Sequence, residues 1–266
     1  MRFLYSLSVL FVLCLVLGCS TEEDPAERAL KMIASEAPDT LQKLITAAPL
    51  QVLDLDAPPA DTVRLSRDQT MGRPASPDAP VLGRAGGMVA VEDSFYIADR
   101  DHQALLVMNK EGNILHKLGR RGSGPGEYKA IGMIIRNREY IFVADVKRAE
   151  LQVFRPDYEY VTSIRNRSVG FWPNIAVNDS MLLMEAPIKD GVNLIQSRNA
   201  YPPWEEGKSF FPQLIPEGYQ PQTYNSYLVS MNNQGQIVVC YTGLPYLFLY
   251  DDQLNHTATI AMDSDH

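Results

Sequence analysis

The feature that most narrows the possible folds is one segment that recurs within the chain. Phe95-Tyr96-Ile97-Ala98-Asp99 returns 46 residues later as Ile141-Phe142-Val143-Ala144-Asp145. The match runs on, with Leu105 on Leu151, Val107 on Val153, Met108 on Phe154, Leu115 on Val161 and Leu118 on Ile164. Each copy is a set of short apolar runs separated by turn residues, and neither has helical spacing. Two further copies follow. Ala176 to Leu183 falls on Ala90 to Ile97 at an offset of 86, and Ile237 to Cys240 falls on Phe95 to Ala98 at an offset of 142. In the last copy Asp251-Asp252 stands where Asn109-Lys110 stands in the first. Successive copies are thus spaced by 46, 40 and 56 residues, and the long interval is read as an insertion, 199–224, on one face.

A period of this length built from strands and turns predicts one small sheet per repeat, the sheets packing about a common axis. The expected class is all-β, a β-propeller with about four blades between Val81 and His266. Four is the low end for a closed ring, so the reading is either a fragment of a larger propeller or closure through strands around residues 50–65. Ahead of the repeats, Ala29, Leu30, Ile33 and Ala34 share a helical face, Pro38 breaks it, and Asp39 caps a second turn with Leu41, Leu44 and Ile45. Val52, Leu53 and Leu55, then Thr62 to Leu65, read as short strands, and 72–80 as a loop.

The first 18 residues carry one basic residue, Arg2, and an apolar run from Phe3 to Leu17 too short to span a bilayer comfortably, which is a secretory pattern. Val16-Leu17-Gly18-Cys19 resembles the bacterial lipobox, in which the cysteine becomes the lipidated first residue. The acidic run Glu22-Glu23-Asp24 is similar to an export signal of some Bacteroidetes lipoproteins and equally suits a solvated tether. The expected organisation is a signal peptide over 1–18, a lipidated tether with a short helical spacer over 19–49, and a propeller over 50–266. Acyl chains on Cys19 would hold the protein on a membrane, placing it in the cell envelope on the periplasmic or surface face of the outer membrane. Of the remaining cysteines, Cys14 lies in the segment to be removed and Cys240 in the apolar run Ile237 to Tyr241, where a buried thiol is expected. The net charge of −8 argues against a nucleic-acid partner.

The motif Leu118-Gly119-Arg120-Arg121-Gly122-Ser123-Gly124-Pro125-Gly126-Glu127-Tyr128 is the most specific in the chain. With Asp54-Leu55-Asp56, Asp61-Thr62-Val63-Arg64-Leu65-Ser66 and Tyr96-Ile97-Ala98-Asp99, it makes residues 50–266 resemble the six-bladed, NHL-like β-propeller lipoproteins of Bacteroidetes. The resemblance implies fold and location, with the sequence too short for six blades and so an incomplete six-bladed propeller, and leaves the chemistry open.

Candidate sites come from the turns. The glycine-rich motif leads towards a strand and lacks a Gly-Lys-Ser/Thr ending, so it reads as a turn between blades, with Arg120 or Arg121 facing the central funnel as the other reading. Asp99, Asp145 and Glu185 follow the second strand of three repeats; they either accept hydrogen bonds from turn amides or ring a cation such as Ca²⁺ in the central channel. His102, His116, His256 and His266 show no ligand spacing, and no nucleophile motif occurs. Candidate contacts for a protein, peptide or glycan are Arg100, His102, Lys147 and Arg148 after the second strands, Arg120 and Arg121, and the aromatic residues Trp172 and Trp204. A binding or scaffold module without cofactor is the favoured function. A metal-dependent enzyme of the lactonase or lyase kind and an accessory part of a surface nutrient-uptake complex are the alternatives.

Overall fold

The computed structural model describes residues 39–58, 80–165, 174–187, 193–214 and 225–263, with 62, 64, 66, 73, 74 and 76–78. The expected signal peptide, Cys19, the first helical piece, Val63 and Leu65 lie outside these residues. A single helix is described, α1 (Asp39–Thr46), with Leu41, Leu44 and Ile45 buried along one side as its spacing requires. Among the described residues no helix is long and apolar enough to cross a membrane.

The other described residues form strands and the turns and loops between them. The first sheet contains β3 (Ala85–Val91), β4 (Ser94–Asp99), β5 (Ala104–Asn109) and β6 (Asn113–Leu118), with the two-residue β2 (Arg73–Pro74), inside the stretch read as a loop, added parallel to β6. After the short parallel pair β7 (Arg120–Arg121) and β8 (Glu127–Tyr128) comes the second sheet: β9 (Ile131–Arg136), β10 (Ile141–Asp145), β11 (Glu150–Phe154) and β12 (Tyr160–Arg165). The third consists of β13 (Ala176–Val177), β14 (Met181–Glu185), β15 (Asn193–Asn199) and β16 (Glu206–Pro212). The fourth consists of β17 (Tyr227–Met231), β18 (Ile237–Tyr241), β19 (Tyr246–Tyr250) and β20 (His256–Asp263). Along the outer edge of the fourth sheet runs β1 (Leu50–Asp54), parallel to β20, so the strand read near residue 52 covers an otherwise open edge. The first strands pack in order, β3 on β9, β9 on β13 and β13 on β17, which makes them the innermost strands of four blades.

The blades share one hairpin. Between the third and fourth strands a turn holds one residue at positive φ: Gly112 (84°), Tyr158 (69°), Trp204 (62°) and Leu254 (65°). The turn is closed each time by the amide of that residue donating to the carbonyl three residues earlier, as in Tyr158 to Arg155 (2.9 Å) and Leu254 to Asp251 (3.1 Å). Two readings from the spacing need correction. Residues 199–212 are not an insertion: they finish β15, make the shared turn and form β16. Blade 3 also aligns at an offset of 87 rather than 86, because Val177 pairs with Leu182 as Ala90 pairs with Phe95. A slip of one residue exchanges the two faces of a strand. Glu185 is therefore the counterpart of Ala98, not of Asp99.

Packing between blades follows from this alternation. Tyr96, Ala98, Leu105 and Val107 of blade 1 meet Ile131, Ile134, Ile141, Val143 and Phe154 of blade 2. Phe142, Ala144, Leu151 and Val153 of blade 2 then meet Ile175, Leu182 and Met184 of blade 3. Blade 4 buries Val239 and Phe248 completely on its blade 3 side, whereas Val238 on the other face is 37% exposed and Cys240 is half-buried rather than buried. Truncation reads this asymmetry directly. Val239→Ala is expected to destabilise by about 2 kcal/mol and Val238→Ala by well under 1 in denaturant melts; equal losses would contradict the assignment of faces.

Candidate functional site

The turns after the second strands gather most of the predicted residues at one end of the blades. Asp99 is fully buried; its Oδ2 accepts from the Gly83 amide (2.7 Å), its Oδ1 from the amides of Asp101 (2.9 Å) and His102 (3.1 Å), and His102 Nδ1 lies 2.8 Å from Oδ2. Burial works to raise its pKa, but the Gly83 amide, the His102 side chain and the other amides outweigh it and hold the carboxyl below the usual range. Asp145 repeats the device: Oδ2 accepts from the Lys129 amide (2.7 Å), and Oδ1 from the amides of Ala130 (3.1 Å) and Arg148 (3.3 Å). Each carboxylate thus latches the incoming connection of its blade to the next turn. Glu185, one residue out of phase, instead lines a cavity of about 80 Å³ with Arg165 and Arg198. Among the described residues no three His, Cys, Asp or Glu side chains come together.

The basic candidates divide. Arg100 lies across the inner strands, its Nε 2.8 Å from where a Cβ on Gly86 would stand, and Gly86 leaves that room because it has none. His102 is engaged by Asp99, Arg148 pairs with Glu150 at 3.1 Å with both side chains largely buried, and Lys147 is exposed. Trp172 lies outside the described residues. Trp204 is at the opposite end of the blades, where it holds the positive-φ place of the blade 3 hairpin and packs edge-on against Tyr140 (5.1 Å) and Phe142 (5.9 Å).

The glycine-rich motif is a self-contained cap between blades 1 and 2. Glu127 turns back into it, Oε2 accepting from the amides of Ser123 and Gly124 (both 2.9 Å) and Oε1 meeting Arg120 at 2.7 to 2.8 Å. Gln152, buried in β11, accepts from the Gly126 amide and donates to the Glu127 carbonyl, both at 2.8 Å. Buried Tyr128 hydrogen-bonds Tyr158 across 2.7 Å. Arg120 is therefore a brace of the cap, and Arg121 remains exposed beside it. The Gly124 amide, Arg120 and the Ser123 amide hold Glu127 down to about 2, against an ordinary 4.5. A carboxyl depressed in the folded state contributes stability above its unfolded pKa and loses it as pH falls through the folded one. The difference in melting temperature between the wild type and Glu127→Gln is expected to be constant above about pH 5 and to vanish near pH 2. A difference unchanged across that window would contradict the brace.

Two hollows remain. One, about 370 Å³, lies on the axis and is lined by all four inner strands, with Met88, Ile135, Val177 and Met231 on its walls and Arg136 reaching across to the Ala90 carbonyl (2.5 Å). The other, about 550 Å³, lies between the first turn of blade 2 and the hairpin turn of blade 3. A set of asparagines absent from the sequence reading frames that end. Asn137 Oδ1 accepts from the amides of Glu139 and Tyr140, and its Nδ2 donates to the carbonyls of Asn178 (3.2 Å) and Ala200 (3.4 Å). Asn178 caps its own turn in the same way and donates to the Asn232 carbonyl (3.4 Å). Their one visible signal is an asparagine opening the first turn of blades 2, 3 and 4.

With four such sheets on one axis, comparison with known proteins is decisive for the fold. Residues 77–170 match a family described as a 6-bladed beta-propeller. The chain is a β-propeller. Among solved structures, a Bacteroides fragilis protein described as exported superposes with a TM-score of 0.56 at 14% identity, over 81% of this chain and 60% of that one. A Bacteroides vulgatus protein gives 0.46 at 14% identity over 65% and 57%, and virginiamycin B lyase from Staphylococcus aureus 0.44 at 11% over 64% and 53%. At these identities the likeness concerns the fold alone, and the propeller described here spans 60% or less of each of these three structures. No curated protein matches the sequence.

Proposed function

We propose that the chain is a cell-envelope lipoprotein, acylated at Cys19 and held on the outer membrane, whose propeller works as a binding module rather than a catalyst. The observation that carries the second half is the use made of Asp99 and Asp145. These buried carboxylates are the strongest candidates for chemistry in the repeats, yet their oxygens are engaged by backbone amides of adjoining turns. The open surface lies instead in hollows between and within the blades, on a rigid scaffold suited to presenting loops. The first half rests on the apolar N-terminal run ending Leu17-Gly18-Cys19 and agrees with an exported structural neighbour.

Metabolic labelling with a palmitate analogue tests the anchor. Label and membrane association in the wild type, both lost in Cys19→Ser, are the expected result; label kept in the variant would refute acylation there. Elemental analysis tests the module. A stoichiometric divalent ion that disappears in Asp99→Asn would replace the binding reading with a metal-dependent one.

A further inference from the structure

The 550 Å³ groove between blades 2 and 3 has the build of a ligand site, in the size range of small-molecule pockets, about 300–1,000 Å³. Its floor is fixed. Asn137 is hydrogen-bonded through both side-chain atoms, and Tyr140, 7% exposed, is wedged against Trp204. One wall carries Tyr201, a large ring left 47% exposed on a turn that the Trp204 amide closes onto the Tyr201 carbonyl (2.9 Å). The lining also carries Arg138 and Asp179, 3.7 Å apart and both largely exposed, with the Arg138 amide donating to Asp179 Oδ1 (2.9 Å). An exposed ring offers an apolar face for the C–H side of a sugar. A guanidinium beside a carboxylate offers donors and acceptors to adjacent hydroxyls. Arg138 is offset by Asp179, and exposed Glu139 adds a second carboxylate to the lining, so the groove disfavours an anionic ligand.

From this juxtaposition we propose that the groove binds a neutral oligosaccharide, with Tyr201 as the stacking platform and Arg138 and Asp179 as the hydroxyl-binding pair. This rests on the binding-module reading and specifies its ligand class. The full-length chain in a detergent without sugar, lauryldimethylamine oxide, is titrated with maltohexaose, cellohexaose, xylohexaose and mannohexaose by calorimetry. At least one is expected to bind. Tyr201→Ala should weaken it tenfold or more, Tyr201→Phe by less than twofold, and Asp179→Asn several-fold, with unchanged circular dichroism melts because these side chains are exposed. No binding by any of the four, binding indifferent to Tyr201→Ala, or competition by deca-lysine or deca-glutamate would overturn the assignment. The two levels separate cleanly: no sugar binding by a protein free of stoichiometric divalent ion removes the groove assignment alone, whereas a stoichiometric ion that disappears in Asp99→Asn removes the binding-module reading itself.

Discussion

Asp145→Ala is expected to lower the melting temperature by about 10 °C. The carboxylate is 1% exposed and accepts the amides of Lys129, Ala130 and Arg148. Removing it leaves the amides of Lys129 and Ala130 without a partner, each worth about 1–3 kcal/mol when fully deprived of water, while the Arg148 amide keeps the Asp145 carbonyl at 3.2 Å. Partial relaxation and entry of water bring the sum to about 3–4 kcal/mol, and for a domain of this size each kcal/mol moves the midpoint by about 2–4 °C. Asp145→Asn keeps one acceptor oxygen and should lose roughly half as much. Glu185→Gln, which lies outside the latch, should change the midpoint by no more than about 2 °C. Calorimetry with and without calcium distinguishes this from a carboxylate ring. A ring would show calcium raising the wild-type midpoint and all three variants abolishing that rise; the latch predicts the graded order and no dependence on Glu185.

Phe211→Ala is the second large loss, about 3–5 kcal/mol. Phe211 is 2% exposed, stacks on Tyr241 at 4.3 Å, and touches Phe248 (5.6 Å) and Tyr227 (6.2 Å), so one ring of blade 3 anchors three of blade 4. The Tyr241 hydroxyl donates to the Pro212 carbonyl next to it, tying the same two sheets. Chemical denaturation should show the midpoint falling with the slope preserved, while Lys208→Ala, exposed on the same strand, stays within about 0.5 kcal/mol of the wild type. If residues 199–224 were a loop ornamenting one face, both changes would be mild.

These two residues also mark where the sequence could and could not be read. The 46-residue offset between blades 1 and 2 is legible because strands, hairpins and connections keep the same lengths in both, so Phe142 and Val153 take the places of Tyr96 and Val107 and bury accordingly. In blade 4 the first hairpin is one residue longer, but β18 and β19 keep the register, Ile237 facing Tyr250 as Phe95 faces Met108. In blade 3 the link between β14 and β15 is longer, and matching Asp179-Ser180 to Asp93-Ser94 by residue identity put that blade out of phase by one. Glu185 is thereby matched with the wrong counterparts, and β16 falls inside an apparent insertion. Trp204 illustrates a different difficulty. A tryptophan at positive φ is uncommon, so no turn signal marks it, and its ring is absorbed by Tyr140 and Phe142. The role of Asp99 and Asp145 is undecidable from sequence, since an amide latch and a cation ring call for the same residue at the same strand end. The groove at Tyr201 brings together residues of two blades, which a linear reading does not juxtapose.

The central claim is that four like sheets surround one axis, with β3, β9, β13 and β17 innermost. A crystal structure of the full-length chain tests it most directly. The account predicts those four strands side by side around a common hollow, each opening a four-stranded antiparallel blade, with β1 on the edge of the last. Electron density in which they pair into one continuous sheet, or in which helices separate them, would contradict it.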